Sequence, residues 1–204
     1  VGGGRWRGAV FGAGAALGDR ACPVGGACVI GGWVIAGGVS FSGIAGYAGE
    51  FGHTLVNSAG VICTCGALGC LETEVVRAPL LTLVGLTDAD GDELELTLTA
   101  SDSPAVRAEV ERQLDHLAVA LRNAINVFNP QLIVLGGFLG SLYAISPAYL
   151  DQKLAQQSLL AGRQEVTITR TQLGSDLLMI GAAELAFESI LSDPTSARSA
   201  LRGG

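Results

Sequence analysis

Residues 49–72 read Gly-Glu-Phe-Gly-His-Thr-Leu-Val-Asn-Ser-Ala-Gly-Val-Ile-Cys-Thr-Cys-Gly-Ala-Leu-Gly-Cys-Leu-Glu, and they hold three of the five cysteines and one of the two histidines in the chain. Thiolates and an imidazole at such short range suit a tetrahedral Zn²⁺. His53, Cys63, Cys65 and Cys70 are the candidate ligands, and Gly66 and Gly69 let the backbone fold three sulfurs around one ion. Four protein ligands make a closed, structural site, whereas a catalytic zinc keeps one position open. The alternative is three buried thiols beside an unrelated histidine.

Glu50 and Glu72 bracket the set. Carboxylates are good acceptors for sugar hydroxyls, because a charged acceptor strengthens the hydrogen bond. A histidine ligated through one ring nitrogen has the other left for a ligand or an outer acceptor. The plainer alternative is that both glutamates face solvent or cap helices.

The whole chain of 204 residues is 49 % hydrophobic and 15 % charged, with 30 glycines. Mean hydropathy is +0.46. That composition fits a packed α/β body rather than a disordered chain. A net charge of −7 argues against a broad basic face for nucleic acid. No stretch offers the ~20 apolar residues of a membrane span, and the N-terminus has no leucine-rich signal segment. A thiol cluster with metal spacing and no disulfide framework points to the cytoplasm.

Residues 1–27 are rich in Gly, Ala and Arg without helical or strand periodicity, and Cys22 and Cys28 are read there as ordinary small thiols. Residues 28–39 read as a strand, a turn at Gly31-Gly32 and a second strand, with Gly37-Gly38 as further punctuation. Paired glycines also let backbone N–H groups approach a phosphate. Residues 40–52 form a Gly-rich loop. A helix begins at Leu71 and is interrupted by Pro79. Asp88–Glu95 is a solvated acidic turn, with an incomplete Ca²⁺-loop pattern as the alternative. Ser103-Pro104 opens a long helix whose stripe is Val106, Val110, Leu114, Leu117, Leu121, Ile125 and Phe128, and Asn129-Pro130 stops it. His116 within it reads as a solvated or hydrogen-bonded structural histidine. A buried strand follows over 131–135 and ends at Gly136-Gly137, with a possible ligand crevice at its C-terminal end. Helices are expected from Pro147 to about residue 160 and over 176–191, a strand over 165–171, and a tail over 195–204.

The run Gly49-Glu50-Phe51-Gly52-His53, then Cys63-x-Cys65-Gly66-x-x-Gly69-Cys70-Leu71-Glu72, resembles the signature of the ROK family of repressors, open reading frames and sugar kinases. Asn129-Pro130 through Gly136-Gly137, and Leu173-Gly174 with Gly181-Ala182-Ala183, are also similar to that family. The resemblance covers residues 29–194. It implies an α/β, actin-like ATPase-domain (ribonuclease H-like) fold, here incomplete at the N-terminal lobe. It implies structural Zn²⁺ at His53, Cys63, Cys65 and Cys70, and sugar contacts from Glu50, His53 and Glu72. In kinase members Gly31, Gly32, Gly136 and Gly137 would lie on the nucleotide side, with ATP and Mg²⁺ as cofactors.

The catalytic Asp of kinase members has no counterpart, since the only acidic residue before Glu50 is Asp19, in an unmatched context. That Asp would accept the proton of the sugar hydroxyl. The expected organisation is an anomalous segment over 1–27, a sugar-binding region over 28–194 with its zinc loop at 53–70, and a tail over 195–204. No catalytic residue is assigned. The expected function is the sugar-sensing part of a ROK-type transcriptional regulator without its DNA-binding domain, through truncation or a shifted reading frame. The alternative is a fragment of an ATP-dependent, glucokinase-like kinase. A third possibility is a defective fragment that binds zinc and little else. The expected partners are a small-molecule sugar and further copies of the chain, with DNA reached only through an absent N-terminal domain, and no membrane.

Overall fold

The structure, a computed structural model, describes residues 7–14, 29–36, 39–41, 43–89, 91–157, 166–171 and 187, and of 7–14, 29, 39 and 40 the backbone alone. Five strands form one mixed sheet: β1 Arg7–Gly14, β2 Val29–Ala36, β3 Val39–Ser40, β4 Leu132–Gly136 and β5 Thr167–Arg170, in the order β3-β2-β1-β4-β5. The β1–β2 and β2–β3 pairs are antiparallel, and the β1–β4 and β4–β5 pairs are parallel.

Two expectations are corrected here. Residues 1–27 were expected to lack strand character, yet β1 is the central strand, hydrogen-bonded on both sides. Gly and Ala fill five of its eight positions, so the apolar/polar alternation that marks a strand is missing from the sequence. The turn expected at Gly31-Gly32 is also absent. Strand β2 runs straight through the pair, with Gly31 opposite Gly12 and Gly32 opposite Phe11. A continuous ladder outweighs the turn preference of glycine, and only two residues separate β2 from β3.

The longest helix, α4, spans Pro104–Phe128 as its spacing predicts. It starts after Ser103 and ends at Asn129, whose φ of 43° is left-handed. Val106, Val110, Leu114, Leu117, Leu121 and Ile125 are all buried. Phe128 lies at the rim, its ring edge-on to Phe51 with centroids 6.0 Å apart. Helix α4 packs on α1 (Leu71–Glu74), α2 (Arg77–Leu83) and α6 (Pro147–Gln157). On the sheet, α5 (Gly137–Ile145) packs against β1, β4 and β5, and α3 (Gly91–Thr99) packs against α5.

Three helical segments differ from expectation. The break after Leu71 falls at Val75-Val76, not at Pro79, which sits in the first turn of α2 where no N–H is needed. The carbonyls released by that break are taken by α4: Glu74 O accepts from Arg112 at 3.0 Å and Val76 O from Gln113 at 2.9 Å. The acidic run at 88–95 is partly α3. Asp92 and Glu93 lie in its first turn, where negative charge is favoured, and Leu94 and Leu98 bury its inner face. Finally, α5 follows directly from β4, because Gly137 takes a φ of 52° at the junction.

Strand β5 lies within the span expected to be extended, and α6 begins at Pro147 as expected. The expected helix over 176–191, apart from Phe187, and the tail over 195–204 lie outside the described residues, as do Cys22 and Cys28. Among the described residues no helix is long and apolar enough to cross a membrane.

The buried stripe of α4 is the core, so Leu121→Ala should cost ~2–5 kcal/mol in chemical denaturation. Leu96→Ala, at a position 72 % exposed on α3, should stay within about 0.5 kcal/mol of the parent. Equal losses at the two positions would contradict this packing.

Candidate metal centre and ligand site

The loop that carries the candidate metal donors starts on the sheet. The Gly49–Gly52 backbone lies directly against β2, and a Cβ on Gly49 would come 2.1 Å from the Gly32 carbonyl oxygen. On Gly52 it would come 2.2 Å from that of Ile30. Glycine is therefore required at both positions. One 3₁₀ turn, Phe51–His53, follows, with Phe51 buried and Glu50 exposed at its start. The His53 N–H donates to the Glu50 carbonyl at 3.1 Å.

The other three candidate ligands come from a tight knuckle. The Cys63 N–H donates to Ala67 O at 2.8 Å and the Gly66 N–H to Cys63 O at 2.9 Å. Single bridges pair Ile62 with Leu68 and Leu55 with Cys70, and Cys70 then leads into α1. Gly69, at φ 68°, has no room for a side chain, since a Cβ there would lie 1.7 Å from Asn57 O.

His53, Cys63, Cys65 and Cys70 bring their ligand atoms within 4.8 Å of one another. Zn–S bonds of about 2.3 Å and a Zn–N bond of about 2.0–2.1 Å at the tetrahedral angle place two sulfurs about 3.8 Å apart and S and N about 3.6 Å apart. The Cys65 and Cys70 sulfurs are 3.7 Å apart, and Cys63 Sγ is 3.6 Å from His53 Nδ1. Those spacings fit one tetrahedral ion, and the donor set is the one zinc favours.

Burial pushes the Cys63 thiol up, helped by its hydrogen bond to Glu72. Burial and the neighbouring sulfurs push Cys70 up to about 12. The Ala67 backbone N–H lowers Cys65. Metal capture must displace protons from the two buried thiols.

Glu72 joins the group directly. Its Oε1 accepts from Cys63 Sγ at 3.0 Å and lies 3.5 Å from His53 Nδ1. The structure therefore gathers five expected residues, His53, Cys63, Cys65, Cys70 and Glu72, in one place. Glu50 stands one turn ahead of His53 with its side chain exposed. Gly31 and Gly136 lie elsewhere, in one row of the sheet on either side of Gly12. Gly32 is the next residue of β2, and Gly137 opens α5.

Glu74 was read from sequence only as part of a helix. It is buried, receives a hydrogen bond from Asn57 at 3.1 Å, and faces Arg112 at 3.2 Å and His116 at 3.4 Å. His116, expected to be solvated or hydrogen-bonded, stands within ion-pair distance of this carboxylate. The available signal was Arg112 and His116 at i, i+4 spacing, which sets two cationic or polar side chains side by side on α4.

A family model described as the ROK family matches residues 27–189. The chain belongs to the ROK family. It is 26 % identical over 163 residues to the xylose repressor of Caldicellulosiruptor bescii, covering 71 % of this chain and 40 % of the repressor. It is 30 % identical over 145 residues to the DNA-binding transcriptional repressor Mlc of Escherichia coli K12, covering 66 % of this chain and 36 % of Mlc. The ROK hexokinase of Thermus thermophilus superposes with a TM-score of 0.64 at 25 % identity, over 93 % of this chain and 59 % of the hexokinase. The chain thus spans well under half the length of these ROK repressors. Its fold is the actin-like ATPase-domain fold of ROK kinases and regulators, present in part. Strand β1 precedes the span matched by the ROK model.

Loading one equivalent of Zn²⁺ at pH 7 should release protons from the coordinating thiols, the buried Cys63 and Cys70 among them, and affinity should fall as pH falls because protons compete for the same sulfurs. An indicator dye in weak buffer reads the release. Stoichiometric binding without proton release would exclude the buried thiols as ligands.

Proposed function

We propose that this chain is the sugar-sensing, zinc-containing region of a ROK-type transcriptional regulator. The observation that carries the proposal is the contact of Glu72 with both His53 and Cys63. A carboxylate that could bind sugar is thereby joined to the metal donor set, so loop geometry and ligand geometry are set together. Similarity to the xylose repressor and to the repressor Mlc supports the regulatory side of the reading.

In this scheme His53, Cys63, Cys65 and Cys70 hold Zn²⁺, which supplies a rigid, closed clip and no reactive position. Glu50 and Glu72 accept hydrogen bonds from sugar hydroxyls, and the second ring nitrogen of His53 meets the same ligand. Sugar acts by binding one conformation of the regulator more tightly than another. DNA contact belongs to a different region of the regulator.

A second reading, a sugar kinase fragment, is favoured by the likeness to the Thermus thermophilus hexokinase and by the row Gly31–Gly12–Gly136 across three strands. Phosphoryl transfer needs a group to accept the hydroxyl proton as well as phosphate contacts.

Titration calorimetry of the zinc-loaded chain against a monosaccharide panel tests the proposal. At least one sugar should bind, and Glu72→Gln should weaken it about 10- to 100-fold, the loss expected for a charged hydrogen bond of about 1.5–3 kcal/mol. A Glu72→Gln chain that binds as tightly as the parent would remove Glu72 from the site. Sugar-dependent ATP turnover in a coupled assay would replace the regulatory reading with the kinase one.

A further inference from the structure

Glu74 plays no part in the chemistry above, yet it is one of three buried polar side chains among the described residues, with Gln113 and Ser141. A buried carboxylate is costly unless it is paired and hydrogen-bonded. Here Oε2 lies 3.2 Å from Nη1 of Arg112 and 3.4 Å from Nε2 of His116, both on α4. Nη2 of Arg112 also donates to the Glu74 carbonyl at 3.0 Å. The other oxygen, Oε1, accepts from Nδ2 of Asn57 at 3.1 Å. One carboxylate thus ties helix α4 to the segment between His53 and Cys63.

Asn57 heads a turn. Its Oδ1 accepts from the Ala59 N–H at 3.0 Å, and its carbonyl accepts from the Gly60 N–H at 3.1 Å. The turn is pressed onto Glu74, since a Cβ on Gly60 would lie 2.3 Å from Oε1. On its other side the N–H groups of Val56 and Asn57 donate to Gly69 O at 2.9 and 3.2 Å. Gly69 immediately precedes Cys70. The turn at 57–60 is therefore clamped between Glu74 and the knuckle. It offers none of the four metal donors, but it sets the path from His53 to Cys63.

We propose that Glu74 is a positioning residue for the metal centre: acting through Asn57, it holds the 57–60 turn so that His53 and the three cysteines meet around one ion. Arg112 and His116 anchor it to α4. The proposal rests on the metal centre described above. It adds a residue outside the ligand set whose loss changes metal affinity.

The test uses the whole chain, with Zn²⁺ affinity from competition with a chromophoric chelator and Co²⁺ as a spectroscopic probe. Outer groups that orient metal ligands typically change affinity 10- to 100-fold, so Glu74→Gln and Asn57→Asp should each weaken Zn²⁺ about tenfold and shift the visible Co²⁺ bands. The double variant Asn57→Asp/Glu74→Gln restores a donor–acceptor pair in reverse order. It should recover to within about threefold of the parent, a non-additivity expected only of groups in direct contact. Should Glu74→Gln not fold, Asn57→Ala cuts the same link and leaves the carboxylate with both α4 partners. It should weaken Zn²⁺ about tenfold as well.

Variants with lower unfolding midpoints but parental Zn²⁺ affinity and Co²⁺ spectra would overturn the proposal and leave Glu74 a packing residue. A double variant no better than the single ones would also overturn it. A parent chain without thiolate-to-Co²⁺ bands would instead remove the metal centre, and the proposal with it.

Discussion

The approach of the Gly49–Gly52 backbone to strand β2 is the constraint on which the site depends. With no space for a Cβ at either glycine, the loop sits directly on the sheet. That contact fixes where the 3₁₀ turn begins, and so where Glu50 and His53 stand. Phe51, between them, is buried and meets Phe128 at the end of α4 edge-on. The loop that carries the candidate metal donors is thus held by the sheet at its start. At its finish, α1 and the Glu74 carboxylate bind it to the middle of α4.

Between those two anchors, little regular structure holds residues 54–70. Two isolated bridges and a handful of turns are the backbone support there. Leu55, Val61, Ile62 and Leu68 are exposed, so apolar burial contributes little to this segment. Side-chain chemistry has to take over. The protonated thiols of Cys63 and Cys70 are poor substitutes for a metal, and four ligands on one ion would supply the closure energy that a hydrophobic core cannot.

The sequence was legible where chemistry or periodicity is local. The Cys and His spacing marked four side chains that the fold brings together, and the 3–4 stripe from Val106 to Ile125 located α4 with both its ends. It was illegible where tertiary contacts decide. Strand β1 is built from Gly and Ala and is held by ladders from two neighbours, one of them more than a hundred residues downstream. Gly31-Gly32 carries a turn signal that the same ladder overrides. The split at Val75-Val76 depends on Arg112 and Gln113 donating to the freed carbonyls, and no local pattern encodes that. Glu74 was hidden for the same reason: its partners lie 17, 38 and 42 residues away in sequence.

Similarity to both repressors and kinases follows from a shared fold. The central claim is that the clip organises the sugar-binding carboxylates. Its most direct test is sugar titration of one preparation before and after zinc is stripped by a chelator, and again after zinc is restored. The account predicts that affinity is lost on stripping and returns with zinc, while α4 keeps its helical signal throughout. Unchanged sugar affinity in the stripped, folded chain would contradict it.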